Sequence, residues 1–181
     1  MSLVFVTGGT GYLGCPLIAA LLERGHRVKA LVRPGSEQQL PTGAEAVRGD
    51  ALRAETFAAA VPPADTLVHP VGTPRPSPAK AAEFRAVDLP SIRASVSAAL
   101  SASVRHLVYV SVAQPAPAMQ AYIAVRQEGE RLIREAGLTA TILRPWYVLG
   151  PVTAGPTCCY PSTSCSSACR PLVTARRGSD S

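Results

Sequence analysis

The sequence predicts an α/β fold, a doubly wound parallel sheet with helices on both faces. Three observations predict it. Short apolar runs of strand length recur along the first 150 residues, helix-periodic stretches separate them, and the first run leads through three evenly spaced glycines into a helix.

The opening run, LVFV at 3–6, is continuously apolar, as a strand buried on both faces of a parallel sheet requires. Glycines follow, and then Leu13, Leu17, Ile18, Leu21 and Leu22 recur at helical spacing until Gly25, a helix stop. RVKALVR (27–33) is a second strand, closed by Pro34 and Gly35. Together these segments have the size of one βαβ unit, about 30 residues. A short strand at 44–47 precedes Gly49-Asp50, and the alanine-rich stretch 53–61 predicts a short helix. DTLVH (65–69) is a fourth strand, stopped by Pro70, because proline cannot donate to a central ladder. A proline-rich loop (72–78) leads into a helical stretch from Ala79 to about Ser101, which Pro90 kinks or divides. RHLVYVS (105–111) is a fifth strand. A helix over 118–136 carries a charged face of Arg126, Glu128, Glu130, Arg131, Arg134 and Glu135 and ends at Gly137; TATILRP (139–145) is a sixth strand.

At 181 residues with 47% apolar content, the chain has room for one domain with a real core and is not a disordered polymer. The formal charge of +6 is scattered from Arg24 to Arg177 without a basic run, which a phosphorylated cofactor accounts for without nucleic acid. No apolar stretch of about 18 residues occurs, so no membrane span is expected. Met1-Ser2-Leu3 leads straight into a strand without signal-peptide features, so the expected location is cytoplasmic. After Gly150 the periodicity stops: residues 151–181 are rich in Ser, Thr and Pro and hold four of the five cysteines, at 158, 159, 165 and 169. Their spacing fits zinc knuckles poorly, and no metal site is expected. The expected organisation is a nucleotide-binding domain over 1–150 and an irregular tail over 151–181.

TGGTGYLG (7–14) carries the clearest chemistry. Gly8 can take a positive φ in a tight turn, Gly11 lacks a Cβ and lets the backbone approach a pyrophosphate, and Gly14 lets the helix pack closely on the strand. Unsatisfied amides at the helix start then face the phosphates. The same glycines without a ligand would make only a turn; the strand before them and the helix after them favour phosphate binding.

TGGTGYLG resembles the fingerprint of the short-chain dehydrogenase/reductase superfamily, in its extended and atypical branches of NAD(P)-dependent epimerases, dehydratases and NmrA-like proteins. The likeness extends to Gly49-Asp50, LVH (67–69), LVYVS (107–111) and ILRP (142–145), in the expected order over residues 3–150. It implies a Rossmann-like fold, a bound dinucleotide, a small-molecule substrate that the sequence does not identify, and a homodimer paired through the helices after the fourth and fifth strands. Chains of this kind continue past the ILRP strand into substrate-binding segments. The change after Gly150 therefore reads as a truncated product or a shifted reading frame, which the coding DNA would reveal.

The candidate cofactor residues are Thr7, Gly8, Gly9, Thr10, Gly11, Tyr12, Leu13 and Gly14 in the loop, Arg33 after the second strand, Asp50 and Ala51 after the third, and Val71 and Gly72 after the fourth. An arginine at the end of the second strand accommodates the 2′-phosphate of NADP, where a carboxylate would bind the ribose of NAD. Arg33 stands there with no acid before Glu37, which favours NADP over NAD, although a solvated surface arginine reads the same way. The resemblance implies that Asp50 accepts a hydrogen bond from the adenine amino group; an ordinary turn aspartate reads equally well.

The resembled superfamily uses a serine at the end of the fifth strand, and a tyrosine and lysine four residues apart on the next helix. Ser111, Tyr122 and Arg126 occupy these positions, with arginine where lysine is expected. The implied chemistry is hydride transfer coupled to proton transfer by Tyr122, its phenol shifted toward neutrality by a neighbouring cation while Ser111 orients the substrate oxygen. A planar guanidinium does not replace an ammonium at a tight ribose contact, so the alternatives are a non-catalytic dinucleotide sensor or assembly factor, or an inactive truncated product. Ser111 also reads as a strand-end hydroxyl, and Tyr122 as an amphipathic residue on a half-buried helix face. His26, His69 and His106 lie far apart without ligand partners, and His69 is expected to pack near the cofactor. Trp146 and Tyr147 line a substrate opening or anchor the core.

Overall fold

Alternation along the first strand, β1 (Leu3–Val6), decides how the sheet is covered. Leu3 and Phe5 enter one apolar cluster with Leu31, Leu67, Ile92, Leu107 and Ile133, while Val4 and Val6 enter another with Ile18, Val28, Ala30 and Val68. Successive strand side chains point to opposite faces, so both faces are buried. Each fully buried side chain such as Phe5 or Ile18 contributes about 1.5–3 kcal/mol.

This computed structural model describes residues 1–115, 117–146 and 148. After β1 come β2 (Arg27–Val32), β3 (Glu45–Arg48), β4 (Thr66–His69), β5 (His106–Val110) and β6 (Ala140–Leu143), all parallel, in the sheet order β3-β2-β1-β4-β5-β6. Helix α1 (Gly14–Glu23) covers one face through Ile18; α3 (Leu89–Ser101) and α4 (Gln120–Glu135) cover the other through Ile92 and Ile133. The doubly wound Rossmann-like fold expected from the sequence is the one found. Strand order reverses beside β1, between it and β4, which opens a crevice at the C-terminal ends of the strands.

Two elements differ from expectation. The stretch 53–61 forms two 3₁₀ turns, Ala54–Thr56 and Ala58–Ala60, in place of one helix. The Thr56 hydroxyl donates to Arg53 O at 2.7 Å, and Phe57, with φ −140°, leaves helical geometry to bury its ring against Phe5 at 5.9 Å between centroids. The stretch 79–101 is divided as Pro90 predicts, but by widening: a 3₁₀ turn (Pro78–Lys80), one turn α2 (Ala81–Glu83) and a π-turn (Phe84–Asp88) precede α3. The Leu89 amide reaches back five residues to Phe84 O, and Pro90, which has no amide to donate, falls in the first turn of α3, where none is needed. The calls on residues 151–181, including the four tail cysteines and the frame change, and the call on Tyr147 lie outside the described residues.

Candidate functional site

β1 delivers the chain at Val6 to a turn that ends in α1. Gly8 has φ +64°, and a Cβ there would stand 2.9 Å from Val71 Cγ2. A Cβ on Gly14 would lie 2.2 Å from Gly8 O, so the helix can seat on the turn only with glycine at that position. Gly9 closes the turn against β2, where a Cβ would meet that of Ala30 at 2.8 Å. Gly11 is exposed and donates its amide to Gly8 O at 3.0 Å. Leu13, which precedes α1, supplies no side-chain cap; the Cys15 amide donates to Gly11 O at 3.1 Å and Pro16 has none, which leaves the Gly14 amide for an outside acceptor. Thr7 is buried, Thr10 half-buried and Tyr12 exposed. A turn stripped of side chains at the start of a ten-residue helix fits the pyrophosphate of a dinucleotide.

At the neighbouring strand ends, Arg33 is exposed just past β2. Glu37, the first acid beyond it, is paired with Arg48. A hydrogen bond from its own backbone and the Arg48 guanidinium hold its carboxyl below the usual range. Asp50 Oδ1 accepts the Leu52 amide at 2.9 Å, and the Asp50 amide donates to Thr56 Oγ1 at 2.9 Å, so Asp50 does turn work whatever else it does. Ala51 and Val71 are half-buried. Gly72 is set by a close approach: a Cβ there would be 2.1 Å from Arg126 Nη2.

Of the three residues expected to act together, Tyr122 and Arg126 are in contact, while Ser111 is turned to Glu130. Tyr122 is half-buried on α4, its ring 4.8 Å from that of Phe84, with Arg126 Cζ 5.0 Å from its centroid. Arg126, only 4% exposed, turns inward: Nη2 donates to Asp88 Oδ1 at 2.6 Å, and Nη1 to Val110 O at 3.1 Å and Val71 O at 3.3 Å. The charge thus faces the ring of Tyr122 while its hydrogen bonds go to Asp88 and two carbonyls. Ser111, 3% exposed, donates its hydroxyl to Glu130 Oε1 at 2.7 Å. Arg144 grips the same carboxylate through two nitrogens, Nε lying 2.8 Å from Oε1. Hydrogen bonding from Arg144, aided by Ser111, holds the Glu130 carboxyl below its ordinary range.

His69 is fully buried where β4 ends. Its Nδ1 lies 2.9 Å from Thr7 Oγ1 and 2.8 Å from Ser95 Oγ, and Nε2 lies 3.4 Å from Ser91 Oγ. Burial, and then the charge of Arg126, pushes its pKa down to about 3, so the imidazole is neutral. Trp146 is 64% exposed and anchors no core.

Sequence reasoning missed Asp88, Thr73 and the inward direction of Glu130. Asp88 is 1% exposed and accepts from Thr73 Oγ1 at 2.6 Å and the Thr73 amide at 3.1 Å, as well as from Arg126. A signal existed for Glu130: Tyr122, Arg126 and Glu130 recur every four residues and share a helix face, which Arg134 continues at its exposed end, with Nη1 3.6 Å from Glu130 Oε2. Nothing local marks Asp88. Among the described residues, no helix is long and apolar enough to cross a membrane.

The sequence profile of a family described as NAD(P)H-binding matches residues 8–159, beginning at the glycine turn. The chain belongs to that family. It is 30% identical over 168 residues to the 4-hydroxy-2-methyl-3-oxo-4-farnesyl-3,4-dihydroquinoline-1-oxide ketoreductase of Stigmatella aurantiaca, covering 81% of this chain and 50% of that protein. It is 32% identical over 151 residues to the ceramide reductase of Caulobacter vibrioides, covering 82% of this chain and 47% of that one. A shorter match, 35% identical over 116 residues, 61% of this chain and 34% of the other, is to the photosystem II assembly factor Ycf39 of Trieres chinensis. This NAD(P)H-binding chain spans about half the length of the two reductases it matches. Its fold is shared with the Bordetella bronchiseptica enzyme WbmH, crystallised with NAD+, at a TM-score of 0.70 and 22% identity over 83% of this chain and 57% of that one.

Proposed function

We propose that this chain is the dinucleotide-binding unit of a reductase, with NADP as its preferred cofactor and Tyr122 as the proton donor to a carbonyl oxygen. The observation that carries the reading is the turn at Gly8–Gly14, where the space a Cβ would need is already taken by Val71 at Gly8 and by backbone at Gly14. Thr7 to Gly14 hold the pyrophosphate, Arg33 the 2′-phosphate, Asp50 and Ala51 the adenine, and Val71 and Gly72 the chain beside the ribose. The engagement of Glu37 by Arg48 supports the preference for NADP, since the nearest acid is then drawn away from a ribose hydroxyl. The bound nicotinamide supplies the hydride. Tyr122 gives a proton to the substrate oxygen, and Arg126 steadies the phenol from its ring face. Ser111 gives its own hydrogen to Glu130 and so has none to offer a carbonyl oxygen; with that bond kept it accepts only from the hydroxyl of the alcohol formed.

A second reading, binding without turnover, is favoured by one observation: the guanidinium that replaces the expected lysine is spent on Asp88 and backbone carbonyls. Fluorescence titrations with NADPH and NADH, followed by NADPH oxidation over a panel of ketones with the Tyr122→Phe variant, separate the two. The reductase reading expects tighter NADPH binding and turnover lost in the variant. Binding with no tyrosine-dependent turnover leaves the second reading standing, and failure to bind either nucleotide removes both. Arg33→Ala is expected to bring the two affinities together.

A further inference from the structure

Arg126 and Asp88 form an ion pair whose side chains are 4% and 0% exposed, on α4 and at the end of the π-turn, 38 residues apart in sequence. Between them they hold a third segment. Arg126 donates to Val71 O, and Asp88 accepts from both the amide and the hydroxyl of Thr73, so residues 71–73 are fixed from two sides. Gly72, the middle residue, has no room for a side chain because Arg126 Nη2 occupies it. Arg126 also donates to Val110 O, the last residue of β5. Val71 Cγ2 in turn fills the space a Cβ on Gly8 would need, 2.9 Å from it, at the point where the glycine turn takes its positive φ. A continuous line of contacts therefore runs from the buried ion pair through 71–73 to the turn.

We infer that Asp88 and Arg126 are positioning residues for the dinucleotide: together they clamp residues 71–73 against Gly8 and so set affinity for the pyrophosphate and nicotinamide half of the cofactor. The clamp accounts for arginine at 126. A lysine ammonium has three donors at a point, whereas the guanidinium fork serves Asp88, Val71 and Val110 in different directions at once. The adenine half, on the far side of β1 at the ends of β2 and β3, lies outside the clamp.

This inference rests on the cofactor reading above, and the test separates the two. NADPH and 2′,5′-ADP, which carries only the adenine half, are titrated into the wild-type chain, Thr73→Val, and the double variant Asp88→Asn with Arg126→Met. The double variant removes both charges together, so no buried ion is left alone, and it keeps an acceptor for Thr73. Its thermal unfolding is expected close to that of the wild type, with NADPH bound at least tenfold more weakly and 2′,5′-ADP unchanged within about twofold. Should the double variant fail to fold, Thr73→Val carries the test, because it removes the segment's side-chain bond to Asp88 with the ion pair intact; about threefold weaker NADPH binding is expected, again with 2′,5′-ADP unchanged. Equal weakening of both probes, or wild-type affinity for NADPH in a folded variant, overturns the clamp alone. A wild-type chain that binds neither probe overturns the cofactor reading and the clamp with it.

Discussion

The glycine turn and the cluster around Arg126 stand at the same edge of the sheet and are made in opposite ways. The turn works by the absence of side chains. Gly8 bends the backbone, and Gly14 seats the helix so closely that a Cβ there would lie 2.2 Å from Gly8 O, all inside eight consecutive residues. The cluster works by side chains from the loop after β4, the π-turn and α4 that pair with one another and with the carbonyls of Val71 and Val110, with Arg126 Nε left without a partner. A site made by missing atoms is local and rigid, while a site made by mutual satisfaction stands or falls with every member.

The largest expected effect breaks the cluster. Asp88→Ala leaves the Arg126 guanidinium buried without its counter-charge, and urea unfolding is expected to show a loss of about 3–5 kcal/mol. A loss below about 1 kcal/mol would mean that the pair behaves as a surface salt bridge does.

Gly14→Ala tests the turn. The new methyl meets the Gly8 and Gly9 backbone, which has no rotamer to change, and a stability loss of about 3 kcal/mol is expected, together with loss of NADPH binding. Normal melting and normal binding would show that the turn adapts and that the contrast between the two regions is false.

A third effect is set by pH. His69 has its pKa lowered from 6.5 in a free chain to about 3 in the fold, so below pH 6.5 the unfolded chain takes up a proton that the folded chain refuses. Stability is then complete above pH 6.5 and falls with acidification toward pH 3, by about 1.4 kcal/mol per pH unit at the steepest. Melting curves from pH 7.5 to 5 are expected to show this slope in the wild type and a flatter one in His69→Asn. Equal slopes would take His69 out of the buried hydroxyl cage. The carboxyl of Glu130, lowered in the fold, has the same sign in a lower window: its contribution is present above 4.5 and lost below it.

The smallest effect is the control. Arg131 is half exposed on α4 between Glu128 and Glu135, and Arg131→Ala is expected to change stability by about 0.5 kcal/mol or less. A large effect here would erase the distinction between the inward and outward sides of that helix.

The strand order of events along the chain was legible because burial on both faces leaves a plain signature, an unbroken apolar run such as LVFV, and because glycine and proline punctuate it. The stretch at 53–61 was misread as a helix because alanine propensity is a weak preference, and the burial of Phe57 against Phe5 outweighs it. Ser111, Tyr122 and Arg126 could be named from their spacing, but not what their polar groups face. Ser111 bonds a glutamate that sits in the charged run of its helix, and the arginine bonds an aspartate 38 residues earlier.

The sequence alone determined the doubly wound fold, the βαβ unit with its phosphate-sized turn, and membership of the NAD(P)H-binding family, because each rests on short-range spacing or on backbone conformations that only certain residues allow. Only the tertiary structure decided which charges are buried. Whether a guanidinium points to solvent, to a tyrosine or to a distant carboxylate depends on which elements the sheet brings together, and the cost of leaving a buried charge unpaired is what fixes Arg126 to Asp88.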